Sequence, residues 1–200
     1  MLSCITQFRE NISRVRTLGG LYCALDSLTT PLIDGSDILR SQIVLSVSAL
    51  DHYIHAITRT GMLEVFSGKR QATDAYLKFP VSANVLMASN SGSSGIDLFE
   101  EEIRERHSFL SFQQPDKVAD AIRLFSLCKL WEEVGAIMGS TPTEIKTRLK
   151  LIVDRRNKIA HEADLDPSFP GVRWPITSSD ADSVTDYISE LCETIHAVVL

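Results

Sequence analysis

The 200 residues predict an all-α helical bundle, and three observations carry that prediction. Apolar residues recur at spacings of three and four in five separate segments, the period of a helix with one buried face. Only 10 glycines and 7 prolines are present, too few for a sandwich of many short strands. No segment alternates apolar and polar residues as a half-buried strand would.

Taken in order, Phe8, Ile12, Val15, Leu18, Tyr22 and Leu25 place a helix over about 5–28, ended by Thr30-Pro31, with a turn at Asp34-Gly35. Ser36 is expected to cap a second helix running to about Thr60. Leu39, Ile43, Val47, Leu50, Ile54 and Ile57 form its buried stripe, and Gly61 stops it. Val44 and Ala49 widen that apolar face, so this helix belongs near the centre. Residues 62–97 carry the weakest pattern. A short helix is expected at 71–78, and the polar run 89–95 reads as a flexible loop. Asp97 would cap a helix over 98–111. Pro115 opens another, with Val118, Ile122, Phe125 and Trp131 inward and Gly139 at its end. Thr141-Pro-Thr-Glu144 has the spacing of a capping box and starts a helix to about Ala163, with Ile145, Leu149, Ile152 and Ile159 inward. After a segment containing Pro167, Pro170 and Pro175, Ser178 or Ser179 caps a last helix built on Val184, Tyr187, Leu191, Ile195 and Val198. One domain over 1–200 is expected.

Composition removes several function classes. No apolar run is long enough to cross a bilayer, and the first residues lack the charged and apolar regions of a signal peptide, so a cytoplasmic protein is expected. Cys4, Cys23, Cys128 and Cys192 are too scattered for a disulfide framework or a zinc ribbon and read as reduced, mostly buried thiols. No Gly-rich phosphate loop and no metal-ligand spacing is present, so neither cofactor nor metal is expected; Asp51, His52 and His55 lack a third histidine nearby. The net charge of −6 argues against coating nucleic acid by bulk electrostatics. Yet between Lys146 and Lys158 six cations (Lys146, Arg148, Lys150, Arg155, Arg156, Lys158) oppose only Asp154, a net +5. The stretch from Glu162 to Glu190 is as strongly acidic. A basic stripe on an acidic protein suits a localised anionic ligand such as RNA, with Lys150, Arg155 and Lys158 as its contacts.

The chemistry-bearing run is Asp154-Arg-Arg-Asn-Lys-Ile-Ala-His161. Asn157 and His161 share a helix face, and Arg156 lies about 140° round from His161. Arginine presents a planar fork of donors to a phosphate. Histidine exchanges protons near neutral pH. Asparagine holds an imidazole or a sugar hydroxyl in place. One histidine is not both acid and base in one step, whereas two copies about a two-fold axis divide those roles. Such a homodimer suits cleavage of RNA by its own 2′-hydroxyl. The alternative is surface charge ending in a helix-capping histidine. Arg40 and Asp51, eleven apart on one stripe of the second helix, would either orient His161 or form a structural ion pair. His107 and His196 read as surface residues, and Trp131 and Trp174 as core or interface anchors.

The run RRNKIAHEAD at 155–164 resembles the Arg-x4–6-His signature of the HEPN superfamily, where a polar residue, often Asn, follows the arginine. Residues 38–53 (ILRSQIVLSVSALDHY) look like the second helix of the RiboL-PSP-HEPN type, and 112–118 (FQQPDKV) and 173–176 (RWPI) are similar to it in the same order. The resemblance covers most of the chain and is weakest over 62–97. It implies an antiparallel helical bundle with additional helices, dimerising with its motif helices apposed. It implies a metal-independent endoribonuclease, with Arg156 and His161 catalytic and Asn157 supporting them. The settings it implies are toxin–antitoxin, phage-defence or RNA-processing systems, with an antitoxin or defence-operon partner. The superfamily also holds members that no longer cleave, so the alternative is a non-catalytic module for dimerisation or nucleotide/RNA binding.

Overall fold

The computed structural model describes residues 1–30, 33–91 and 95–200. The described residues form nine helices: α1 (Leu2–Leu28), α2 (Ser36–Phe66), α3 (Asp74–Leu77), α4 (Ala83–Ser91), α5 (Gly95–His107), α6 (Pro115–Arg123), α7 (Leu130–Met138), α8 (Pro142–Glu162) and α9 (Ser178–Val199). Their only β-type pairing is an isolated antiparallel bridge between Leu165 and Arg173. No helix among them is long and apolar enough to cross a membrane.

The stripe read for α2 is fully realised, with Leu39, Ile43, Val47, Leu50, Ile54 and Ile57 all buried. α2 is the spine against which α1, α5, α6, α8 and α9 pack. Side-chain pairs fix the directions. Cys4 meets Thr60 at 3.4 Å, so α1 and α2 are antiparallel. Gln42 meets Asp182 and Tyr53 meets His196, so α9 runs parallel to α2. Arg40 near the start of α2 meets Asp164 just after α8, so α8 runs against α2.

Several expected boundaries move, each for a non-local reason. Gly61 does not stop α2, which continues to Phe66. A β-carbon at Gly61 would lie 2.2 Å from the Phe125 ring, so this glycine provides close approach rather than termination. Ser36 does not cap α2. Gly35 is the N-cap, Asp34 Oδ1 accepts the Ser36 N–H at 2.9 Å, and the Ser36 hydroxyl turns to Arg40. The helix expected over 115–139 is two, α6 and α7. The chain breaks after Arg123 so that Phe125 can enter the core against Gly61. Thr177, rather than Ser178 or Ser179, caps α9, accepting the Asp180 N–H at 3.2 Å.

Residues 62–107 build a second apolar cluster on the far end of α2, from Met62, Val85, Phe99 and Ile103. Phe66 stacks on Phe99 with ring centroids 4.7 Å apart. The expected helix at 71–78 is only Asp74–Leu77, capped by Thr73. The polar loop expected at 89–95 is helical through Ser91, and Gly92, Ser93 and Ser94 lie outside the described residues. α5 starts at Gly95, so Asp97 lies in its first turn and does not cap it, and it ends at His107.

His107 and His196 are buried, not on the surface. His107 packs against Phe79, Phe112 and His55. Burial, then the neighbouring His55, pulls its pKa down to about 4. His196 Nδ1 lies 3.1 Å from the Tyr53 hydroxyl, and burial lowers its pKa too. The four cysteines are free; Cys4 and Cys192 are buried, Cys128 partly so, and Cys23 exposed.

Candidate functional site

The motif lies on α8, and α8 is started by local chemistry. Pro142 sits in the first turn. The Thr141 hydroxyl accepts the Glu144 N–H at 3.2 Å, and the Glu144 carboxylate accepts the Thr141 N–H at 2.9 Å. Ile145, Leu149, Ile152 and Val153 face the core, which leaves Lys150 and His161 exposed on the other side and Asn157 half-buried on the flank between. Tyr187 of α9 donates to the Ile145 carbonyl at 2.8 Å and fixes the entry of the helix.

Arg156 is half-buried on the core-facing side of α8. Its Nη1 donates to Asn157 Oδ1 at 2.9 Å, which draws the guanidinium toward the face carrying His161. Arg156 Nε is buried without a partner. His161 is exposed in the last turn, and no hydrogen bond or ion pair engages its ring among the described residues. The three motif residues therefore lie in the last two turns of α8, with Asn157 between Arg156 and His161 in angle about the helix axis.

The basic stripe is narrower than its sequence. Lys150 and Lys158 are exposed, the latter with its ammonium 5.5 Å from the Trp174 ring centroid. Arg148 lies over the Tyr187 ring at 4.3 Å. Arg155 turns inward: its Nη2 donates to Asp164 Oδ2 at 2.9 Å and contacts the Pro175 carbonyl at 3.3 Å.

Asp164 is the residue that sequence reasoning missed. It is fully buried, and the same Oδ2 takes Arg40 Nε at 2.8 Å. Arg40, also buried, donates further to the Trp174 carbonyl at 2.8 Å and to Ser36 Oγ at 2.6 Å. Arg40 thus stands beside the motif end of α8, while Asp51 does not. Asp51 accepts the Phe112 N–H at 2.6 Å and Gln113 Nε2 at 3.1 Å and pins the 111–114 loop. The sequence signal was Arg40 itself, a cation on a buried stripe that needs an acid. The acid on the same helix was the nearer candidate, and the partner lies 124 positions away.

The loop from Leu165 to Arg173 folds back along α2 and leaves a groove of about 680 Å³ between α2 and α8, walled by Val44, Leu45, Ile159 and Leu165. Arg173 at its rim pairs with Asp34 and Asp37. Among the described residues no three His, Cys, Asp or Glu side chains gather as metal ligands would.

A family model described as RiboL-PSP-HEPN matches residues 9–200. Comparisons with curated proteins and with solved structures give no match. An all-α bundle with an Arg-Asn-x-x-x-His run ending one helix, matched from Arg9 to the last residue, places the chain plainly: it belongs to the RiboL-PSP-HEPN family.

Proposed function

We propose that the protein is a homodimeric, metal-independent endoribonuclease whose site is built from Arg156, Asn157 and His161. The observation that carries this reading is the Arg156–Asn157 hydrogen bond, which turns a guanidinium toward the face of an unengaged, exposed histidine. Membership of a family whose domains commonly dimerise and bind RNA supports it.

In the reaction the 2′-hydroxyl attacks the adjacent phosphorus. Its proton passes to one imidazole acting as base. The bond to the 5′-oxygen breaks, and a second imidazole, from the other copy, protonates that oxygen. Arg156 meets the charge that grows on the non-bridging oxygens. The products are a 2′,3′-cyclic phosphate and a 5′-hydroxyl. Lys150 and Lys158 hold flanking phosphates. Apolar contacts from the groove walls Val44, Leu45 and Leu165 offset the repulsion between two basic helices.

The test is cleavage of end-labelled single-stranded RNA by wild type and His161→Ala. Cleavage persists in EDTA and stops when the 2′-oxygen at the cut site is removed. His161→Ala loses about 10²–10⁴-fold, the usual worth of general acid–base catalysis. Arg156→Ala loses a similar factor, and Asn157→Ala less. Light scattering at micromolar concentration gives a dimer. A requirement for Mg²⁺, equal cutting of an all-deoxy strand, or a monomer that cleaves would overturn the reading. RNA binding without cleavage would favour a non-catalytic module instead. Expression that is toxic to a host and relieved by His161→Ala would place the protein in a toxin or defence setting.

A further inference from the structure

We infer that Asp164 is a positioning residue for His161, acting through the backbone of the last turn of α8 with Arg40 and Arg155 as its anchors. The inference rests on the ribonuclease reading and adds to it the device that holds the histidine in place.

Ala163 and Asp164 follow α8 with φ of 52° and 58°, two successive non-glycine residues in the left-handed region. Such a conformation persists only where its surroundings over-determine it. Here the Asp164 N–H donates back to the Lys158 carbonyl at 3.0 Å, and the Asp164 carbonyl accepts the Trp174 N–H at 2.9 Å. The carboxylate takes Arg40 at 2.8 Å and Arg155 at 2.9 Å, both on Oδ2. Arg40 then reaches the Trp174 carbonyl, so the chain segments on both sides of the 165–173 loop are tied to one guanidinium on α2. His161 stands three residues before this knot and has no side-chain partner of its own among the described residues. Its place is therefore set by the backbone of the turn, and the turn is set by Asp164. Arg155, whose sequence position suggests an RNA contact, belongs to the same knot and turns its guanidinium away from the open face.

The geometry separates positioning from binding. Asp164→Asn keeps the volume and an acceptor but leaves the buried Arg40 guanidinium and the partly buried Arg155 guanidinium facing a neutral amide. With fold and dimer checked by circular dichroism and light scattering, its single-turnover cleavage rate falls about 10- to 100-fold while the dissociation constant for RNA stays within about twofold. Arg155→Ala behaves in the same way, with an unchanged salt slope, whereas removal of a phosphate-binding cation would reduce affinity and slope together. An activity-free readout accompanies these. The ¹H–¹³C resonance of the His161 ring shifts in Asp164→Asn, and the amide order parameters of Lys158–Glu162 drop. Should Asp164→Asn fail to fold, Arg40→Lys keeps the charge and removes the Trp174 carbonyl bond; the expected changes are the same in kind and smaller. Wild-type rates together with an unmoved His161 resonance overturn the inference, as does a drop in RNA affinity in step with rate. If wild type cleaves no RNA at all, the ribonuclease reading fails, while the resonance and order parameters still decide whether Asp164 holds the turn.

Discussion

The two ends of α8 are closed by opposite means. At the N-terminus everything needed lies within four residues: Thr141 and Glu144 exchange hydrogen bonds, with Pro142 between them. At the C-terminus the closing carboxylate is Asp164, and one of its two arginines comes from α2, 124 positions away. The first device works in an isolated helix. The second exists only when α2, α8 and the segment before α9 are already assembled. A local cap is exposed and adds a modest increment, whereas a buried ion cluster commits distant segments to one arrangement. The motif stands at the second kind of end.

Breaking the C-terminal device should therefore cost far more than breaking the N-terminal one. Removing one partner of a buried ion pair typically costs about 3–5 kcal/mol, and Asp164→Ala should lower the urea-unfolding free energy by that much. A drop under about 1 kcal/mol would mean the cluster contributes nothing beyond its neighbours.

The end of α5 sharpens the contrast, because its buried last residue, His107, packs against rings instead of an opposite charge. Its folded pKa, near 4, lies below the value of about 6.5 for an unfolded chain. The unfolded state takes up the proton first, so stability present above about pH 6.5 is lost as pH falls toward 4. At 1.36 kcal/mol per unit the decrease reaches up to about 3 kcal/mol. His107→Phe should flatten that part of the stability–pH curve relative to wild type, measured by denaturant unfolding at pH 7 and pH 4.5. Pairing at Asp164 fixes position, and burial at His107 favours the neutral ring.

Thr141→Ala should cost only about 1 kcal/mol, the usual worth of an N-cap, and should leave the cleavage rate of folded protein within about twofold. Lys150→Glu, on the exposed face between the two ends, should change stability by less than about 0.5 kcal/mol. It should instead weaken RNA binding and make the log–log salt slope shallower by about 0.7 for each phosphate that is no longer neutralised.

The same division between local and distant chemistry governs how far the sequence could be read. The stripes of α1, α2, α8 and α9 were legible because each is a repeat within one segment, and the α8 cap because its parts are three residues apart. The family likeness was legible from the motif and the ordered segments around it. Gly61 misled because its reason is Phe125, in the break between α6 and α7. α4 was hidden because a nine-residue helix over a satellite cluster carries little period of its own. The buried histidines misled because their partners, Tyr53 and Phe79, come from other segments. At the site, the placing of Arg156, Asn157 and His161 along one end of α8 is a matter of helical geometry alone. The inward turn of Arg155 and the burial of Asp164 required knowing where α2 lies.

The distribution of thiols gives the molecule a built-in clock for its own opening. Cys23 is exposed and Cys128 partly so, Cys4 lies in the first turn of α1 with 8% exposure, and Cys192 is fully buried in the core shared by α1, α2 and α9, where burial pushes its thiol far above its ordinary range. A water-soluble alkylating reagent reaches Cys23 promptly and Cys192 only when the core opens. The delay before Cys192 reacts measures how often the three-helix core parts, without any engineered label.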